Sequence, residues 1–253
     1  MLYRGQTLLS LMVAMALSII LLFVLIEFFI QIQYQNTQQF SYLYLQKTLE
    51  SRLDQMVRDI RRAGFQAPND HVIASNFSYF QQANIWKVLR INSGLGETEQ
   101  SCILFFYDLD QSGCLGGKNN RGNADDKKTY CIRNGHNAMG NIENELFGYR
   151  LYQGMLQTRS LQKKDVDSYC DEKTCRSYMS EDQCNQGKWE NLFDKNAIRI
   201  LSLHFQPMAD NRAVLVQLTG QLIHKPNIQY QTQAVIPLIN LWKDEHATTP
   251  RFH

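Results

Sequence analysis

The chain has 253 residues, 26 of them basic and 24 acidic, with a net charge of +2 and 44% apolar residues. That balance gives no argument for wholesale nucleic-acid binding, which calls for a basic excess. The stretch beyond Gly64 is long enough for one domain with its own core.

No glycine or proline falls between Gly5 and Gly64. One helix over the whole stretch is therefore predicted, roughly 87 Å long at 1.5 Å per residue. From Leu8 to Ile30 every residue is apolar except Ser10, Ser18 and Glu27, which exceeds the about 20 residues that cross a bilayer. From Gln31 the composition turns polar. There Tyr42, Leu45, Leu49, Leu53, Met56, Val57 and Ile60 keep a spacing of three or four that marks one buried face. Asp54 precedes Arg58 by one turn, the favourable order for a helix pair. Gly64 predicts a left-handed stop, and Pro68 keeps the helix from resuming. Arg58, Arg61 and Arg62 form a basic cluster near that end, read as a solvated face because charges of both signs surround it.

A short leader, Met1 to Gly5, precedes the helix, with Arg4 as its one charge and no Lys or Arg after it until Lys47. This asymmetry orients an anchor with its N-terminus in the cytoplasm. Two plain readings of the opening stand beside any more specific one. A secretory signal cut after Ala14-Met15-Ala16 would leave Leu17 to Ile26 as an exposed apolar start. An uncleaved signal anchor is the other.

The segment Arg4-Gly5-Gln6-Thr7-Leu8-Leu9-Ser10-Leu11-Met12-Val13-Ala14 resembles the type IV prepilin signal. The resemblance implies cleavage after Gly5 by a prepilin peptidase on the cytoplasmic side and methylation of the new terminal amine on Gln6. Two residues depart from the pattern: Gln6 replaces the usual Phe or Met, and Ser10 stands where most members carry a glutamate. In the family that carboxylate is held to neutralise the terminal ammonium of a neighbouring subunit. Serine accepts a hydrogen bond but cannot neutralise a cation, and stranding one partner of a buried ion pair costs about 3–5 kcal/mol. The expectation is a subunit at a filament tip, with no subunit ahead whose ammonium needs an anion.

After the helix, Ala67 to Gln82 is polar and turn-rich, and Ile85 to Ile91 is a short strand candidate. Asn92 to Gln100 is a turn, and Cys102 to Tyr107 is a continuous apolar strand expected to be buried on both faces. A loop dense in Gly, Asn and Asp runs from Asp108 to Asp126, with Lys127 to Arg133 as its return strand. Leu146 to Tyr152 and Met155 to Ser160 read as a hairpin about Gln153 and Gly154. Leu161 to Trp189 is a charged insert without a clear period. Ile198 to Phe205, Ala213 to His224 and Ile228 to Leu241 are three long strand candidates. The fold class that follows is α+β: a long N-terminal helix whose second half lies across a mainly antiparallel sheet. The expected divisions are a leader at 1–5, a membrane half of the helix at 6–30, an amphipathic half at 31–64, a β-rich domain at 65–245 and a tail at 246–253.

The six cysteines, Cys102, Cys114, Cys131, Cys170, Cys175 and Cys184, all follow the span and fall on its non-cytoplasmic side. An even count in an oxidising compartment reads as up to three disulfides, with one local pair expected among Cys170, Cys175 and Cys184. No C-x-x-C pattern supports zinc. Asp108-Leu109-Asp110-Gln111-Ser112-Gly113 places oxygens at positions 1, 3 and 5 and glycine at 6, as a calcium loop does. Position 12 holds Asn119 rather than glutamate, and Asp125 or Asp126 would replace it only if the loop folds back. Asp108, Asp110 and Ser112 are thus the candidate calcium ligands; an Asx-type turn that caps a strand without metal is the competing reading, and otherwise no cofactor is implied. The histidines are scattered, and Trp86, Trp189 and Trp242 read as core or interface residues. No nucleophile motif, paired acid arrangement or phosphate loop points to an enzyme.

Asp59 to Phe65, Cys102 to Gly113, Phe147 to Leu151, and Gly187-Lys188-Trp189 ahead of Ile198 to Phe205 resemble successive landmarks of the prepilin peptidase-dependent protein B group, which belongs with the PilW and PulJ-like minor pilins. The resemblance implies a pilin-like fold and a minor pilin or pseudopilin that helps initiate or cap a thin filament for adhesion, DNA uptake or secretion. The implied partners are other minor pilins or pseudopilins, the major pilin, prepilin peptidase, an inner-membrane assembly platform and, before assembly, lipid. Nucleic acid would be met only through the filament. The implied location is the inner membrane with a periplasmic C-terminal domain, then the filament. The alternative is a signal-anchored periplasmic binding or adhesion module, carried either by the Asp108 loop, with calcium as the candidate ligand, or by the Leu161 to Trp189 insert.

Overall fold

A computed structural model describes residues 8–69, 72–81, 88–117, 129–159, 169–208 and 211–241. The chain divides into two compact units, one ending at Tyr44 and one beginning at Leu45. Helix α1, Leu8–Arg61, runs unbroken through the boundary. Gly5, Gln6, His71, Trp86, Asn119, Asp125, Asp126, Trp242, His246 and His253 lie outside the described residues.

The second unit is built on two antiparallel sheets. In chain order its elements are β1 (Val72–Ala74), β2 (Leu89–Asn92), β3 (Cys102–Phe106), β4 (Thr129–Tyr130), β5 (Ile132–Arg133), β6 (His136–Asn137), β7 (Leu146–Tyr152), β8 (Met155–Arg159), the short helix α2 (Glu172–Arg176), β9 (Trp189–Asn191), β10 (Ile198–Met208), β11 (Ala213–Leu222) and β12 (Lys225–Pro237). One sheet has the order β2-β3-β7-β8-β9 and the other β10-β11-β12. Two small pairings, β1 with β4 and β5 with β6, complete the framework.

The helical spacing places Leu45, Leu49, Leu53, Met56 and Ile60 on a buried stripe, with Val57 half-buried beside it. This stripe packs into one core with Ile103, Phe105, Tyr149, Leu203, Phe205, Val216 and Leu218 from both sheets. Tyr42 is a correction: it falls in the N-terminal unit and is exposed. On the polar side the described ion pair is Lys47 with Glu50, at 3.6 Å, in place of the expected Asp54–Arg58 pair.

β3 is buried at every position, and alternation along it explains why. Ile103 and Phe105 face the helix-side core, while Cys102, Leu104 and Phe106 enter a second core with Phe80, Leu115, Ile142 and Met179. A central strand with a core on each face has no side to give to water, so its sequence is apolar throughout. The predicted hairpin is present: β7 and β8 pair with Tyr152 opposite Met155. Gln153 and Gly154 both take positive φ, 50° and 74°, as a two-residue type I′ turn requires. The three long strands form the second sheet, with β12 starting at Lys225 and ending at Pro237 rather than running to Leu241.

The expected return strand is corrected. β3 pairs with β2 and β7, whereas Thr129–Tyr130 pairs in parallel with Val72–Ala74. The Cys114–Cys131 disulfide holds this segment beside β1, and Cys131 N–H donates to Ala74 O. The helix ends as Gly64 predicts, with φ +77°. Gly64 N–H donates to Phe106 O at 2.8 Å, and Phe65 O accepts from Asp108 N–H at 2.9 Å, so the helix exit is sewn to the end of β3.

Candidate functional site

The apolar half of α1 is the feature with the most direct physical consequence. Every side chain from Leu8 to Ile30 is exposed, and α1 is the one described helix long and apolar enough to cross a membrane. Its internal hydroxyl at Ser18 donates to Ala14 O at 2.8 Å, and farther along Thr37 and Ser41 donate to Gln33 O and Thr37 O. Hydroxyls satisfied by their own helix need no water, which is the condition for residence in lipid. Ser10 lies within the first turn of the described helix, and that turn holds no acidic residue.

The second place is the loop after β3. Asp108 is 1% exposed, and both its carboxylate oxygens are engaged by backbone. Oδ2 accepts from Ala67 N–H at 3.0 Å and Gly113 N–H at 2.8 Å, and Oδ1 accepts from Ser112 N–H at 3.0 Å. Asp110 is exposed and its Oδ1 shares the Ser112 N–H, while the Ser112 hydroxyl donates to Cys114 O. The residue that sequence reasoning missed is Glu145, which ends the 3-10 turn Ile142–Glu145 ahead of β7. Its Oε1 accepts from Leu109 N–H at 2.7 Å and Asp110 N–H at 3.3 Å, and its Oε2 from Gly116 N–H at 2.6 Å. No motif in the sequence marks Glu145, because it reaches the loop from a different element.

Carboxylate oxygens of Asp108, Asp110 and Glu145 lie within 4.8 Å of one another. Burial pushes the Glu145 carboxyl up to about 7, against the opposing pull of the Gly116 and Leu109 N–H groups. Asp108 is raised for the same reason, with the Asp110 charge adding to it. Chemically, the two buried acids act as clamps that fold the loop around their oxygens. A cation would have to share those oxygens with the N–H donors.

All six cysteines are paired: Cys102 with Cys184, Cys114 with Cys131 and Cys170 with Cys175. The local pair spans five positions; the Cys102–Cys184 bridge closes 82 and ties β3 to the insert. Beside it Arg150 is buried, donating to Cys184 O and to Gln157 Oε1, with its guanidinium 4.5 Å from the Trp189 ring centre. Trp189 is therefore a packing platform for Arg150, and Arg159 approaches the same ring at 5.8 Å. Arg62 lies 5.9 Å from the Tyr107 ring, while Arg58 and Arg61 are exposed.

The family profile described as prepilin peptidase-dependent protein B matches residues 38–238. The chain is 34% identical over 240 residues to an uncharacterized protein of Haemophilus influenzae, covering 94% of this chain and 98% of that protein. No solved structure matches.

Proposed function

The chain belongs to the prepilin peptidase-dependent protein B family, and from that premise we propose that it is a non-catalytic minor pilin or pseudopilin of the PilW and PulJ-like kind. In this reading prepilin peptidase cuts after Gly5 and the new Gln6 amine is methylated. The Leu8–Ile30 segment waits in the inner membrane with its N-terminus in the cytoplasm, and an assembly platform draws it into a filament with other minor pilins and the major pilin. The single observation that carries the reading is an exposed apolar half-helix continuous with a helix half whose stripe from Leu45 to Ile60 is buried in the domain core. Such a segment exchanges lipid for like segments without unfolding anything. Ser10 in place of a carboxylate supports a place at the start or tip of the filament.

Mass spectrometry of the protein extracted from membranes tests this. An N-terminus at methylated Gln6 is the expected result. Intact Met1 in cells that trim their other prepilins would instead assign the chain to the alternative, a signal-anchored binding module.

A further inference from the structure

The sheet β10-β11-β12 turns one face to α1, where Gly220 lies against Leu49 and Tyr230 donates to Glu50. Its other face is laid out in register rungs. His204, Gln217 and Gln233 form one, and Ser202, Thr219 and Gln231 the next. A third, Arg199, Gln221 and Gln229, contains the one charge of the three. In a chain with 20% charged residues, a solvent-facing sheet surface on which seven of these nine rung residues are amides or hydroxyls calls for a chemical explanation. Two of the cross-strand amide pairs are already hydrogen-bonded, Gln217 Nε2 to Gln233 Oε1 at 3.2 Å and Gln229 Nε2 to Gln221 Oε1 at 3.3 Å.

Arg199 also lines an open hollow of about 520 Å³, together with Tyr152, Gln153, Gln157, Asn191 and Lys195. Its volume falls in the range of small-ligand sites, about 300–1,000 Å³. The hollow has two cations and no acidic residue in its lining.

We propose that this rung face and the hollow at its Arg199 end bind an acidic glycan, with sugar hydroxyls on the amide rungs and a carboxylate at Lys195 and Arg199. Amide and hydroxyl side chains both donate and accept, as sugar hydroxyls do. Amides already paired across strands lose less freedom on binding. The adjoining rung of Gln206, Leu215 and Val235, with Val235 exposed, offers apolar surface to the C–H side of a sugar ring. A nucleic acid would call for a row of Lys and Arg along its phosphates, and this face holds none beyond Arg199. An added peptide strand would bind a sheet edge through backbone groups, not a face.

The test is isothermal titration of the full chain in detergent with three probes: a hyaluronan hexasaccharide, which carries glucuronate, a neutral N-acetylglucosamine hexamer, and a single-stranded DNA oligomer. The expected result is binding of both sugars, with the acidic one several-fold tighter. Gln217→Ala combined with Gln233→Ala weakens both sugars by about 2–10-fold, with Tm unchanged. Arg199→Ala removes the preference for the acidic one. Neither sugar binding at millimolar concentration, sugar binding that both variants leave intact, or DNA binding that is lost with the rung glutamines overturns the proposal. These outcomes are separate from the N-terminal processing result, so failure of one reading leaves the other standing.

Discussion

Glu145 shows how much one buried acid sets the behaviour of its surroundings. Its carboxyl is 3% exposed and its folded value is about 7, against 4.5 for the free side chain. The folded chain therefore holds this proton more tightly than the unfolded chain. Stability from this group is fully present below about pH 4.5 and is lost as pH rises through 7, by about 1–3 kcal/mol. Thermal melts between pH 4.5 and 8 should show Tm falling over that window. Glu145→Gln should flatten most of the slope, with Asp108 contributing the remainder in the same direction. A calcium titration tests the same residues. Because Asp108 and Glu145 already accept backbone N–H groups, we expect millimolar calcium to leave Tm unchanged. A rise on adding calcium would establish a bound cation, since a ligand of the native state must stabilise it.

At the scale of the elements, the sequence was legible wherever a period or a turn signal was complete. The helix stripe from Leu45 to Ile60, the apolar strand Cys102–Phe106, the Gln153-Gly154 hairpin and the three long strands each carry their own pattern. The strand partners within Thr129 to Arg133 were not legible: Thr129–Tyr130 lies beside β1 next to the Cys114–Cys131 disulfide, while Ile132–Arg133 turns back on His136–Asn137. The Cys102–Cys184 and Cys114–Cys131 pairings were likewise unreadable, as spacing alone selects no connectivity. Glycine at position 148 was visible but its reason was not. A methyl there would sit 2.7 Å from Ile103 O and from Leu104 Cδ2, and 3.2 Å from Trp189 Cη2. Gly148→Ala should therefore cost about 1–3 kcal/mol, seen as a drop of several degrees in Tm, with no change in pH dependence.

For the whole molecule, the fold class and the apolar half of α1 could be read from composition and period, whereas the proposed place at a filament tip rests on Ser10. Ser10→Glu tests it: filament number and incorporation should stay the same or fall, and a large gain would remove the tip assignment. The exit of α1 has a mechanical consequence of its own. Gly64 is bonded to Phe106, Phe65 to Asp108, and Ala67 to the Asp108 carboxylate, so no slack tether separates the helix from the sheet. Traction on the Leu45–Arg61 part of the helix would pass at once into β3, and from Cys102 through a covalent bridge into the insert at Cys184, so that this half of the helix, the sheet and the insert would be hauled as one piece.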